Sequence, residues 1–212
     1  MDRPVADSWE QIVEWLRLHV PAAAENLQPR APWGQISSLR AGMARRLPGD
    51  LVAWLNVCNG FTQRGAFGYI LPVFHIPLPV EEMMRRRDRV RAVHSARPRE
   101  GEGDPAGTAS TAWLDAFLPI SDSGNDVELF VDLRDGDLFG SVGQFDAEGG
   151  GFSYPQWAST AGMLADVADA LTLGQPAMVD YARRQSTEWS RAAPWEPYVD
   201  DGRLRWRPVV GP

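Results

Sequence analysis

Few side chains in this sequence are of a type and spacing that could do chemistry. The densest set is acidic: Asp122, Asp126, Glu128, Asp132, Asp135 and Asp137 follow one another within a short stretch. A calcium loop needs oxygen ligands at alternating positions and a bidentate Glu at the twelfth place. Asp132-Leu133-Arg134-Asp135-Gly136-Asp137 has the wrong Asp spacing and no such Glu. A glycoside hydrolase needs two carboxylates facing across a cleft, often beside Trp. Nothing in the string sets two acids opposite one another, and the nine Trp are spread along the chain. His19, His75 and His94 stand far apart, with no second ligand at metal spacing. Cys58 falls in register with Leu51, Trp54 and Leu55 on one helix face, where a thiol is inert core. No glycine-rich phosphate loop is present, since Gly136, Gly140 and Gly143 lack a following helix. The chain therefore reads as non-enzymatic, with no cofactor and no metal implied.

Elements that would position these groups follow from periodicity. Ser8-Trp9-Glu10-Gln11 has the form of a capping box, predicting a helix that opens at Ser8 and ends before Pro21. A second helix is predicted over 34–46, with Ile36, Leu39 and Met43 inward. Leu47-Pro48 to Asn59-Gly60 reads as a short helix, with Pro in its first turn and a left-handed stop at Asn-Gly. Residues 61–76 are aromatic and β-branched and predict one or two strands. Val80, Met83, Met84, Arg87 and Val90 return to helical spacing. Residues 97–111 have no large apolar side chain and predict a solvated, mobile loop. Three β-rich runs follow, two of them joined through Asp135-Gly136, a hairpin signal. Ser159 or Thr160 caps an amphipathic helix carrying Leu164, Val167, Ala168 and Leu171. Residues 175–195 are less regular, and Asp201-Gly202 turns the chain into a last apolar strand. Helices first, then hairpin-linked strands, then a helix: this order predicts an α+β fold with a mainly antiparallel sheet.

Charge is unevenly placed. All 21 basic residues are Arg, and the net charge is −7. Residues 30–99 hold 12 Arg against 4 acids, whereas residues 115–170 hold 11 acids against Arg134 alone. The acidic segment disfavours nucleic acid and suits a basic partner, although turn and strand solvation explain the same acids. The run Arg85-Arg86-Arg87-Asp88-Arg89-Val90-Arg91 reads as a solvated helix face that pairs with the acidic block. No run of 18 apolar residues and no secretory pattern occur, so no membrane contact is expected, and one cysteine fits a cytoplasmic location.

Several stretches stand in a telling order. Leu47-Pro48-x-Asp50-Leu51 runs through to Asn59-Gly60. Leu118-Pro119-Ile120 follows, with Asp122-Ser123-Gly124-Asn125. Next come Val131-Asp132-Leu133-Arg134-Asp135-Gly136 and Gly140-Ser141-Val142, then Ser159 ahead of Met163-Leu164. This order resembles the SUKH superfamily, in its branch named for fungal cell-wall-assembly and glucan-synthesis regulators. The likeness spans residues 8–174. Residues 175–212 form a C-terminal extension whose Asp201-Gly202-Arg203-Leu204-x-Trp206 is similar to the extra strand of bacterial members. The resemblance implies a single twisted, mainly antiparallel sheet with helices packed on it, and no catalytic residues. It makes Leu47, Pro48, Asn59, Gly60, Pro119, Asp132 and Gly136 fold-formers. Bacterial members are often immunity proteins that neutralise toxins, commonly nucleases, and fungal members are signalling adaptors. The leading expectation is a protein-binding domain whose partner is a basic toxin domain. Its contacts would be Asp122, Asp126, Glu128, Asp135, Asp137 and Asp146, with Trp157 as aromatic anchor. An adaptor role and, more weakly, a carbohydrate-binding role using Trp with two carboxylates are the alternatives.

Overall fold

The computed structural model describes residues 3–62, 67–93, 101–124, 127–185 and 192–209. In chain order the helices are α1 (Val5–His19), α2 (Pro21–Glu25), α3 (Trp33–Met43), α4 (Gly49–Leu55), α5 (Val80–Val93), α6 (Thr160–Leu173) and α7 (Val179–Gln185). The strands are β1 (Ile76–Pro77), β2 (Phe117–Pro119), β3 (Ser121–Asp122), β4 (Val127–Asp132), β5 (Val142–Asp146), β6 (Trp195–Asp200) and β7 (Arg203–Pro208). The fold is α+β. Hydrogen bonding groups the described strands as three antiparallel sheets, β1-β3, β2-β4-β5 and β6-β7, where the sequence leads one to expect a single sheet. The first two are stitched at Ile120, whose N–H donates to Leu129 O at 2.9 Å while its carbonyl accepts Leu78 N–H at 2.9 Å. The β6-β7 hairpin stands apart because its partners are single bridges, Leu204 to Gly68 and Trp195 to Ala177.

Strand β4 is buried on both faces. Leu129 and Val131 join the large core made with α1, α3, α4 and α6. On the opposite face Phe130 joins an aromatic cluster with Trp113, Phe117, Phe145 and Phe152. Phe117 stacks on Phe130 with ring centroids 3.9 Å apart, and Trp113 meets both edge-on, a geometry worth about 0.5–1.5 kcal/mol per pair beyond its burial. In the large core Ile12 and Leu16 of α1, Leu51 and Trp54 of α4, and Met163 and Leu164 of α6 are closed to solvent. Leu204 and Trp206 of β7 belong to the same core, so the C-terminal extension packs on the body of the fold as a two-stranded hairpin.

Several sequence-based expectations shift. Helix α1 opens at Val5 behind Pro4, not at Ser8, which is buried one turn inside with no cap bond. Residues 67–75 make bridges and turns in place of strands, with positive φ at Val73 and Phe74. Asp135-Gly136 is no two-residue hairpin: strands β4 and β5 pair up to Val131↔Val142, and residues 133–141 form the longer connection. By contrast, Asp201 and Gly202, at φ 48° and 68°, make the tight turn that the final Asp-Gly predicts. Helix α6 starts as expected, with Ser159 Oγ accepting Gly162 N–H at 2.9 Å.

Candidate functional site

The residues that carry the family likeness interlock. Helix α4 ends at Leu55, before Asn59, and Asn59 has a different task. Its Oδ1 accepts Val80 N–H at 2.9 Å, supplying the missing acceptor at the start of α5, and its Nδ2 donates to Gln35 Oε1 at 3.1 Å. Gly60 follows at φ 72°, where a Cβ would lie 2.5 Å from Leu78 and Pro79 backbone atoms. Only glycine fits there. Asp50 ties two helix starts together, accepting Leu51 N–H at 2.8 Å and Ala161 N–H at 3.0 Å. Leu47 is buried, and Pro48 lies against Gly140, where a Cβ would come 2.9 Å from its ring. Pro119 closes β2 opposite Phe130.

The acidic string divides by fate. Asp132 and Arg134 form a pair that is 0% and 1% exposed. Arg134 Nη2 meets Asp132 Oδ2 at 2.7 Å and Thr108 O at 2.7 Å, and Nη1 donates to Gly101 O at 3.1 Å. Asp132 also accepts Gly107 N–H at 2.9 Å. Residues 101–110 are therefore docked on the sheet by buried polar bonds, with Ala106 and Ser110 closed to solvent. Gly103, Asp104, Pro105, Thr108 and Ala109 are exposed, as expected of a solvated loop, but the segment is anchored through these bonds and does not hang free; residues 97–100 lie outside the described residues. An Arg and its carbonyl acceptors replaced the apolar anchors that the segment lacks.

Asp122 and Glu128 are likewise buried, and both face Arg86 of α5. Arg86 Nε donates to Glu128 Oε1 at 2.6 Å. Arg91 pairs with Asp115 at 2.7 Å, Arg85 with Glu82, and the buried Arg87 donates to Gly42 O at 3.0 Å. The basic helix is thus bonded to the acidic strands inside the molecule. Asp146 caps the turn after β5 by accepting Glu148 and Gly149 N–H groups. Trp157 is 7% exposed, its indole N–H on Asp166 Oδ2 at 2.7 Å, so it is a core side chain and no exposed anchor. Asp135 and Asp137 are exposed in the β4–β5 connection, and Gly136 between them sits against Pro105 and Ala106. Asp126 lies outside the described residues. The string does not form one face: buried carboxylates lie below and exposed ones at the tip.

Two groups with nucleophile or base chemistry meet unannounced in the sequence. Ser121 Oγ lies 2.9 Å from His75 Nδ1, both buried. Leu129 N–H donates to the same Oγ at 3.2 Å, and His75 Nε2 lies 3.5 Å from Gln144 Oε1. Burial, opposed weakly by Gln144 and Asp122, lowers the His75 pKa to about 4. The ring is neutral and sealed, a structural strut joining β3 to β5. Burial pushes the Cys58 thiol up to about 12, its Sγ–H bonded to Gly60 O at 3.5 Å. Neither group is set up to attack a substrate. No cluster of three His, Cys, Asp or Glu suited to a metal occurs among the described residues. Among the described residues no helix is long and apolar enough to cross a membrane.

A cavity of about 440 Å³ lies between α6, α7 and the segment 156–158. Asp166 lies in its wall, held by Trp157 Nε1 and by Met178 N–H at 2.8 Å. Burial raises the Asp166 pKa; these two donors lower it less, and the Asp169 and Asp180 carboxylates raise it further. Gln156 of the same wall is 5% exposed, and its Oε1 meets no hydrogen-bond partner among the described residues. No periodicity or motif foretold this site, because its walls come from three separate stretches. Comparison with known protein families and with curated proteins finds no match to the chain.

Proposed function

We propose that the chain is a non-enzymatic, cytoplasmic protein-binding domain of the SUKH type, and that it acts as an immunity protein against a basic, nuclease-type toxin. In this reading β1 to β5 form the family's one twisted sheet, joined at Ile120. The observation that carries it is the interlocking of the residues behind the likeness: Pro48 on Gly140, Asp50 on the start of α6, Asn59 on the start of α5, and Asp132 under the docked segment 101–110. These residues face each other, as scaffold residues do.

The scaffold leaves Asp135 and Asp137 exposed at the tip of the β4–β5 connection, where their charge is available to a cationic partner. A nuclease holds phosphates with a basic surface, and an acidic tip can steer association and cover it. The test mixes the purified chain with toxin domains encoded by neighbouring genes. A complex that weakens as salt rises is expected, with at least tenfold weaker binding for Asp135→Lys/Asp137→Lys. Absence of any complex defeats the immunity reading; a complex indifferent to the charge reversal moves the contact surface elsewhere.

A further inference from the structure

We propose that the cavity between α6 and α7 is a binding site for an alkylguanidinium or alkylammonium group, such as the side chain of an arginine or lysine on the protein partner. Asp166 supplies the reason. Several half-buried and buried carboxylates on or beside the sheet are met by guanidinium groups: Asp122 and Glu128 by Arg86, Asp132 by Arg134, Asp115 by Arg91; Asp50 and Asp146 take backbone N–H groups, and neither lines this cavity. Asp169, one turn along α6, is met by Arg3 at 2.6 Å. Asp166 instead takes two neutral donors, both on Oδ2. Its carboxylate is withdrawn from water and is met by no guanidinium among the described residues.

The rest of the cavity suits a cation on an apolar stem. Met178, Pro176 and Val179 offer an apolar wall, and the Trp157 and Tyr181 rings add aromatic surface. Arg184 stands at the rim, its guanidinium 5.2 Å from the Tyr154 ring centroid. Asp180 of α7 also lines the cavity, paired at 3.4 Å with the exposed Arg183. An entering guanidinium reaches Asp166 with its methylenes on Met178. This rests on the proposed partner-binding role only for the source of the cation.

The test uses the full chain without any toxin. Amide and indole NMR signals are followed on adding acetyl-Gly-Arg-Gly-amide, agmatine, or acetyl-Gly-Leu-Gly-amide. The expected result is a saturable shift of the Trp157 indole signal with the two cationic probes and none with the leucine peptide. Asp166→Asn, which keeps an acceptor for Trp157 and Met178, is expected to weaken binding at least tenfold. Arg184→Ala, which removes a like charge from the rim, is expected to strengthen it. Acidification supplies a check without mutation: protonating Asp166 removes its charge, so affinity falls at a pH above that of an ordinary carboxylate. The neighbouring groups in that titration are Asp169 with Arg3, Asp180 with Arg183, Arg184 and Tyr181. No saturable shift with either cation, equal response to the leucine peptide, or binding unchanged in Asp166→Asn overturns the site. Agmatine binding tenfold tighter than the arginine peptide overturns the assignment to a partner's side chain. A toxin that forms no complex, with peptide binding intact, overturns the immunity reading and leaves the site standing.

Discussion

Asp132 and Asp166 are both drawn away from bulk water, one on the far face of the sheet and the other in the cavity between α6 and α7. Asp132 meets a guanidinium and two backbone N–H groups, those of Gly107 and Arg134. Asp166 meets an indole and a backbone N–H, and its pKa rises. The first site is closed in charge and hydrogen bonding, so it contributes to holding the fold. The second is left open in charge, so it carries a latent attraction for something outside. A buried ion pair says little about stability relative to an apolar replacement, but removing one partner strands the other.

That contrast is breakable by mutation. Arg134→Met strands Asp132 and releases the Gly101 and Thr108 carbonyls. It is expected to cost about 3–5 kcal/mol in urea unfolding, with amide protection lost across 101–110. A cost under about 1 kcal/mol would mean the pair behaves like a surface bridge. The next effect belongs to His75, whose ring is neutral in the fold. Its folded pKa of about 4 lies below the ordinary 6.5, so the associated stability is complete above pH 6.5 and is lost as pH falls toward 4. The loss reaches roughly 3 kcal/mol. Stability measured at steps across that range should lose this slope in His75→Asn; an unaltered slope assigns it to other groups. Asn59→Ala removes the cap of α5 and should cost about 1–2 kcal/mol, read by thermal and urea unfolding, with Asn59→Asp retaining most of the stability.

The smallest effect sharpens the comparison most. Asp166 has a raised folded pKa, so its ionised form opposes folding at neutral pH. Asp166→Asn is therefore expected to leave stability within about 1 kcal/mol of the parent or to raise it. Asp132→Asn in the same assay should be clearly destabilised. Equal losses in the two variants would erase the distinction between a scaffold acid and a site acid.

How much of this was legible in the sequence depended on whether a feature was local. Ser159 at the head of α6 and Asp201-Gly202 between β6 and β7 act through neighbours in sequence, and both read correctly. The apolar spacing of Leu51, Trp54 and Leu55 also survived, because a helix face is a local pattern, whereas Cys58 is buried beyond the end of α4. The opposite holds for Asn59, whose partner Val80 is 21 residues away, so a cap for α5 was mistaken for the stop of α4. The pairing of the arginine-rich helix with the acidic block was legible from charge balance, though not its partners. The exposure of segment 101–110 was legible but its anchoring was not, because polar composition looks the same whether its carbonyls meet water or Arg134. The cavity at Asp166 was invisible for a similar reason: Gln156, Asp166 and Met178 belong to a bend, a helix and a turn, with no shared period.

The cap that Asn59 places on Val80 has one more implication. It clasps the two ends of the stretch from Gly60 to Pro79, so that the start of α5 is held beside the chain leaving α4. Lengthening such a closed excursion costs only about 0.6 kcal/mol per doubling, provided Phe67, Ile70 and Leu71 stay in place. One side chain thus sets how the far end of a long excursion returns to its start, a closure made by geometry and not by chain length.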